Sequence, residues 1–153
     1  MRRLLAAAAC LVAVAAGAWL LWPCGPVLVV EDSKAGRVLH RQRVGPGERF
    51  TLSYLHSVSK TRVRGVFEVA SGGTLIVRET SYGTPGPGLP EPTGADRVEI
   101  AGGAIRVFDL DQRLPELSFF VHPYTEHALE AGGRTLALSA ALPPGTLVKV
   151  RAR

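Results

Sequence analysis

Beyond residue 26 the chain has no sustained helical period. Short runs of strand-forming residues recur instead, with glycine- and proline-bearing turns between them. That pattern restricts the chain to an all-β fold. With nine to eleven short strands expected, closure as a β-sandwich or distorted barrel follows, because each strand must bury one face against another layer. Strands are expected at residues 27–31, 37–44, 49–56, 62–70, 74–82, 97–101, 104–109, 117–121, 126–130, 134–139 and 147–151.

Three Gly-Gly pairs, at 72–73, 102–103 and 132–133, each stand between strand-like residues. Glycine adopts positive φ at little cost, so these read as tight hairpin turns. Their regular spacing suggests a repeat. The flanking residues do not keep register, so recurrent turn chemistry is the better account. Residues 85–92 hold four prolines and two glycines, cannot continue a ladder, and read as a stiff loop.

The first residues set the compartment. Arg2 and Arg3 precede the uncharged run Leu4–Trp22, whose 19 residues are about the length of a membrane-spanning helix. The arginines keep the N-terminus cytoplasmic, and Trp19 and Trp22 suit the far interface. The expected organisation is an inner-membrane anchor over residues 4–22 within segment 1–24, then a periplasmic β domain over residues 25–153. Cleavage near Ala16-Gly17-Ala18 is the rival reading. Cys10 and Cys24 would lie about 20 Å apart on a membrane helix, so they cannot bridge, and no further Cys follows. The outer domain therefore relies on its core, without disulfides or thiolate metal sites.

Without Arg2 and Arg3, 16 basic residues face 13 acidic ones. This mild excess has no interleaved aromatics, so Arg37, Arg41 and Arg43 read as a solvated strand face and nucleic acid is not an expected partner. No cofactor or metal is expected either, since the histidines lack ligand spacing.

Polar residues concentrate in Tyr54-Leu55-His56-Ser57-Val58, Arg78-Glu79-Thr80 and Gly86-Pro87-Gly88-Leu89-Pro90. A turn around Gly72 would set Arg64 opposite Thr80 and Arg62 near Tyr82. A turn at Val58–Lys60 would set Tyr54 near Arg64 and His56 near Arg62. Tyr54, His56, Arg62, Arg64, Thr80 and Tyr82 would then share one face, with Glu79 on the other. A one-residue slip reverses the assignment. The candidate ligand- or partner-binding residues are Tyr54, His56, Ser57, Arg64, Glu79, Thr80, Gly88, Leu89 and Pro90. His56 stands evenly between a ligand contact and a histidine bonded to its own turn. Its replacement by Ala is expected to impair function more than folding. Ser57 lacks the elbow motif of a nucleophile and reads as a turn hydroxyl. Phe119-Phe120-Val121 reads as core.

Phe50 through Val58, Glu79 through Gly83, Gly88-Leu89-Pro90 and His127-Ala128-Leu129 together resemble a bacterial domain-of-unknown-function family numbered 1850. Members often carry an acidic residue where this chain has Ser59. The resemblance implies a small membrane-linked protein encoded beside a tripartite ATP-independent periplasmic (TRAP) transporter of the TAXI-receptor subtype. It implies an accessory role in secondary uptake of organic acids, as a partner of the permease or of the TAXI-type solute receptor, and the lack of a catalytic motif argues against an enzyme. A small-ligand domain for organic acids is the alternative, and a hydrolase using His56 and Ser57 ranks last.

Overall fold

The computed structural model describes residues 25–85, 89 and 97–153. Eleven strands follow in order: β1 (Val27–Asp32), β2 (Arg37–Arg43), β3 (Arg49–Leu55), β4 (Arg62–Val69), β5 (Leu75–Tyr82), β6 (Arg97–Ala101), β7 (Ala104–Leu114), β8 (Leu117–Val121), β9 (Ala128–Ala131), β10 (Arg134–Ala137) and β11 (Thr146–Ala152). A 3₁₀ turn at Pro123–Thr125 and a short helix, α1 (Leu138–Ala141), complete the elements among the described residues. The all-β expectation holds. Its strand boundaries differ mainly at β7, which runs on to Leu114, and after Ala137, where α1 replaces the expected strand end. The anchor expected over residues 4–22 lies outside the described residues. Among those described, no helix is long and apolar enough to cross a membrane.

The strands form two antiparallel sheets, one ordered β2-β1-β11-β8 and the other β10-β9-β3-β4-β5-β7-β6. Their inner faces share one core. Leu28, Val30, Val148 and Val150 come from the smaller sheet, and Phe50, Leu52, Phe67, Val77, Val107 and Leu129 from the larger. Phe50 and Phe67 stack at 5.2 Å between ring centres.

Turn chemistry sets the hairpins. Gly102 and Gly103 join Ala101 to Ala104, and Gly132 and Gly133 join Ala131 to Arg134, all four glycines with positive φ. These are two-residue turns whose twist matches the flanking strands. The pair at 72–73 differs. Residues 71–73 form a longer loop in which only Gly73 has positive φ, and a Cβ there would lie 2.6 Å from the Ala152 carbonyl oxygen. This turn is pressed against the end of β11, so its glycine serves packing as well as conformation.

Candidate functional site

The faces of β4 and β5 are decided by a bulge. Near the turn the pairing follows the expected register, with Val69 opposite Leu75 and Phe67 opposite Val77. Past Arg78 it shifts by one, so that Val66 faces Glu79, Gly65 faces Thr80 and Arg64 faces Ser81. Arg78 holds the irregularity. Its Nε and Nη2 donate to the two Glu68 carboxylate oxygens at 3.1 and 3.0 Å, and its Nη1 donates to Asp111 at 2.9 Å. The β3–β4 loop makes a second correction. Its four residues, 57–60, place Leu55 opposite Arg62 and Ser53 opposite Arg64, one position from expectation. The expected shared face therefore does not form. Thr80 and Tyr82 are buried and Tyr54 packs on the core, whereas Arg62 and Arg64 are exposed on the other side.

At the β3 end of the sandwich a group of rings gathers around His127. Its imidazole is stacked between Tyr54 and Phe119, with ring centres 5.1 and 4.9 Å away. The 3₁₀ turn positions it, because Thr125 Oγ1 lies 2.8 Å from His127 Nδ1. The same hydroxyl donates to the His122 carbonyl at 2.7 Å and accepts the His122 N–H at 3.1 Å. Its single hydrogen is used on the carbonyl, so His127 Nδ1 is the donor and Nε2 carries the lone pair. The backbone N–H of His127 donates to Ser139 Oγ at 2.8 Å, tying α1 to this end. Burial, with the nearby His122, pushes the His127 pKa down to about 4, so the ring is neutral at pH 7. Burial also raises the Tyr54 phenol. His122 stacks on the exposed Tyr124, over which Lys60 Nζ sits 5.8 Å from the ring centre.

His56 closes the β3–β4 loop. It is buried, and its Nδ1 accepts the N–H groups of Val58 and Ser59 at 3.4 and 3.3 Å. Nδ1 is therefore occupied as an acceptor, and Ser57 beside it is exposed. A buried ring that satisfies two turn amides gives His56 a structural role beside any functional one, so its replacement is expected to cost stability as well. Leu89 packs against the core, and Gly88 and Pro90 lie outside the described residues.

The remaining expected residues lie on the outer face of the larger sheet. Arg64 donates to Thr51 Oγ1 at 3.2 Å. Glu79 accepts from Arg106 at 2.6 Å. Hydrogen bonding to Arg106, with the fields of Arg64 and Arg49, holds the Glu79 carboxyl below the usual range. Arg49, Glu68, Arg78, Glu79, Arg106 and Phe108 line a polar hollow of about 440 Å³. No cluster of three metal-ligating side chains occurs among the described residues.

The expected binding residues thus divide into an inner set, Tyr54, His56 and Thr80, and an outer set, Arg64 and Glu79. Of the inner set Tyr54 stacks on His127, which lies outside the expected site. Its sequence signal was a histidine between a proline-bearing turn and an aliphatic strand. Neither curated proteins nor solved structures yield a match. Residues 50–138, from the start of β3 into α1, match the family described as Domain of unknown function (DUF1850), and this chain belongs to that family.

Proposed function

We propose that this protein is a docking module: a periplasmic β domain, tethered by residues 4–22, that works as an accessory of a TRAP permease or its TAXI-type solute receptor. The observation favouring docking over small-ligand capture is the split of the polar residues. Tyr54 and Thr80 face the core while Arg64 and Glu79 face outward, so they do not converge on one ligand. Exposed apolar groups sit instead at separate points of the surface, with Val58 and Tyr124 at the histidine end and Val98 and Ile100 on β6. Tethering raises the effective concentration beside a membrane partner, so a weak interface suffices.

The test is co-purification of the full chain, extracted from membranes, with the adjacent permease and receptor. Recovery of either at near-equal amounts is expected. Recovery of neither, with the β domain folded, overturns the reading. The polar hollow on the outer face favours the organic-acid alternative, since guanidinium groups pair with carboxylates bidentately. A dicarboxylate there would have to displace Glu68 or Glu79. Stabilisation of the full chain by succinate, lost in Arg106→Gln, would support that alternative.

A further inference from the structure

Among the described residues no strand pairing joins the two sheets, and on one side a seam runs between β2 and β10. β2 is an edge of the smaller sheet and β10 an edge of the larger. Among the described residues β2 pairs only with β1, and β10 only with β9. At one end of this seam the gap is sealed. Gln42 reaches from β2 to the β9–β10 turn, and with its amide turned so that oxygen and nitrogen match their neighbours it donates to the Ala131 carbonyl and accepts the Gly132 N–H, both at 3.3 Å. A Cβ on Gly132 would collide with that amide. At the other end the seam opens into an apolar groove of about 610 Å³ lined by Val38, Leu39, Leu136, Leu138, Ala141 and Leu142, with Arg37 at its wall.

The charge along this seam differs from that of the rest of the surface. The arginines on the outer face of the larger sheet are engaged: Arg49 and Arg78 with Glu68, Arg97 with Asp109, and Arg106 with Glu79. Along the seam, Arg37, Arg41 and Arg43 of β2 and Arg134 of β10 are exposed and have no ion-pair partner among the described residues. Charged side chains alone would blunt an edge strand against unwanted pairing. Here Arg37 stands at the wall of the apolar groove, and Arg41 and Arg43 continue along the same edge strand toward the end that Gln42 closes, which gives the edge something specific to bind.

We propose that this seam receives an extended segment of a partner protein, in which acidic and aliphatic residues alternate, as an added strand on β2. β2 is the better template because it has seven residues against four in β10 and carries three of the four arginines. Arg41 and Arg43 pair with Val29 and Val27, whereas the intervening Leu28 belongs to the core. Arg41 and Arg43 therefore lie on the outer face of the smaller sheet, two residues apart. A strand laid beside β2 would set every second side chain next to them, within cross-strand reach. Past the Gln42 closure, beside residues 37–39, its other side chains would turn inward, toward Leu39 and the leucines of α1. Main-chain hydrogen bonds supply affinity and the alternation supplies specificity, as in other strand-addition complexes.

This inference deepens the docking reading by naming its surface, and its test is separable from co-purification. The probe is a synthetic peptide of alternating aspartate and valine, with a lysine-for-aspartate peptide as control. Both are titrated into the full chain in detergent and followed by fluorescence anisotropy and amide hydrogen exchange. The acidic peptide is expected to bind and to slow exchange of the β2 amides. The triple variant Arg37→Glu, Arg41→Glu, Arg43→Glu is expected to weaken binding by about tenfold or more, since charge complementarity sets partner choice. Those side chains are exposed, so an unchanged far-UV spectrum verifies its fold. Ala141→Trp, which fills the groove, is expected to weaken binding with the arginines intact. Equal binding of the lysine peptide, or binding without slowed exchange in β2, overturns the proposal. So does slowed exchange with phosphatidylglycerol vesicles but not with the peptide, which would make the seam a lipid-facing surface. Failure here with successful co-purification moves the docking surface elsewhere, and the converse result leaves the groove standing without that transporter.

Discussion

The two faces of the larger sheet are built from alternate residues of the same strands, yet they solve different physical problems. The inner face removes apolar area from water, and the buried polar groups in the turns adjoining it are held by short-range hydrogen bonds: Thr125 to His127, and His56 to its loop. The outer face carries ionised groups at half-exposed positions, where Glu68 bridges Arg49 and Arg78. A buried group without a partner costs its full desolvation, whereas an exposed ion pair exchanges one solvated state for another. Neighbouring residues of one strand should therefore differ severalfold in what their loss does.

The largest contrast lies within β4. Phe67→Ala removes a core ring stacked on Phe50 and should cost about 3–5 kcal/mol. Chemical denaturation of the full chain reads this directly, and a loss no greater than that of Glu68→Gln would erase the distinction between the faces. Next comes pH. The His127 ring titrates near 6.5 in the unfolded chain and near 4 when folded, so protons favour the unfolded state as pH falls. The stability is present above pH 6.5, declines through that window, and is fully lost near pH 4, by roughly 3 kcal/mol. Carboxylates such as Glu68 and Glu79, whose pKa values are held low, add a further loss at more acid pH. Stability of wild type and His127→Gln measured at pH 7.5 and 4.5 isolates the histidine. A slope unchanged in the variant would remove His127 as its source.

His56→Ala is expected to cost about 1–3 kcal/mol, because two loop amides lose their acceptor in a partly buried setting. Thermal unfolding provides the check, together with faster exchange of the Val58 and Ser59 amides. Exchange unaltered at both would mean that water replaces the ring without penalty. The smallest effect belongs to the outer face. Glu68→Gln should cost about 1 kcal/mol or less and lose most of that effect in concentrated salt. A larger, salt-insensitive loss would place this network with the buried groups.

The hairpins were legible because their causes are local. Gly102-Gly103 and Gly132-Gly133 supply positive φ wherever they stand, and strand-like residues flank them. Local signals failed where parity depends on counting. A loop of four residues after His56 and a bulge at Arg78 each moved a strand by one position, which exchanges its faces. Arg64 and Thr80 were expected to meet, and they lie on opposite sides of the sheet. The bulge is stabilised by Glu68 and Asp111, which are 10 and 33 residues from Arg78, and no local pattern announces that contact.

By itself, then, the sequence determined the all-β class, nearly every strand and the glycine turns, because these follow from residue conformational preference and a period of two. Tertiary structure decided which strands pair across long separations, as β1 does with β11 and β3 with β9. It also decided that His127 lies between two rings, and that β2 and β10 leave an apolar seam beside arginines that have no ion-pair partner among the described residues. Those features depend on where two sheets meet, and that is fixed by the fit of whole faces rather than by any one residue's preference.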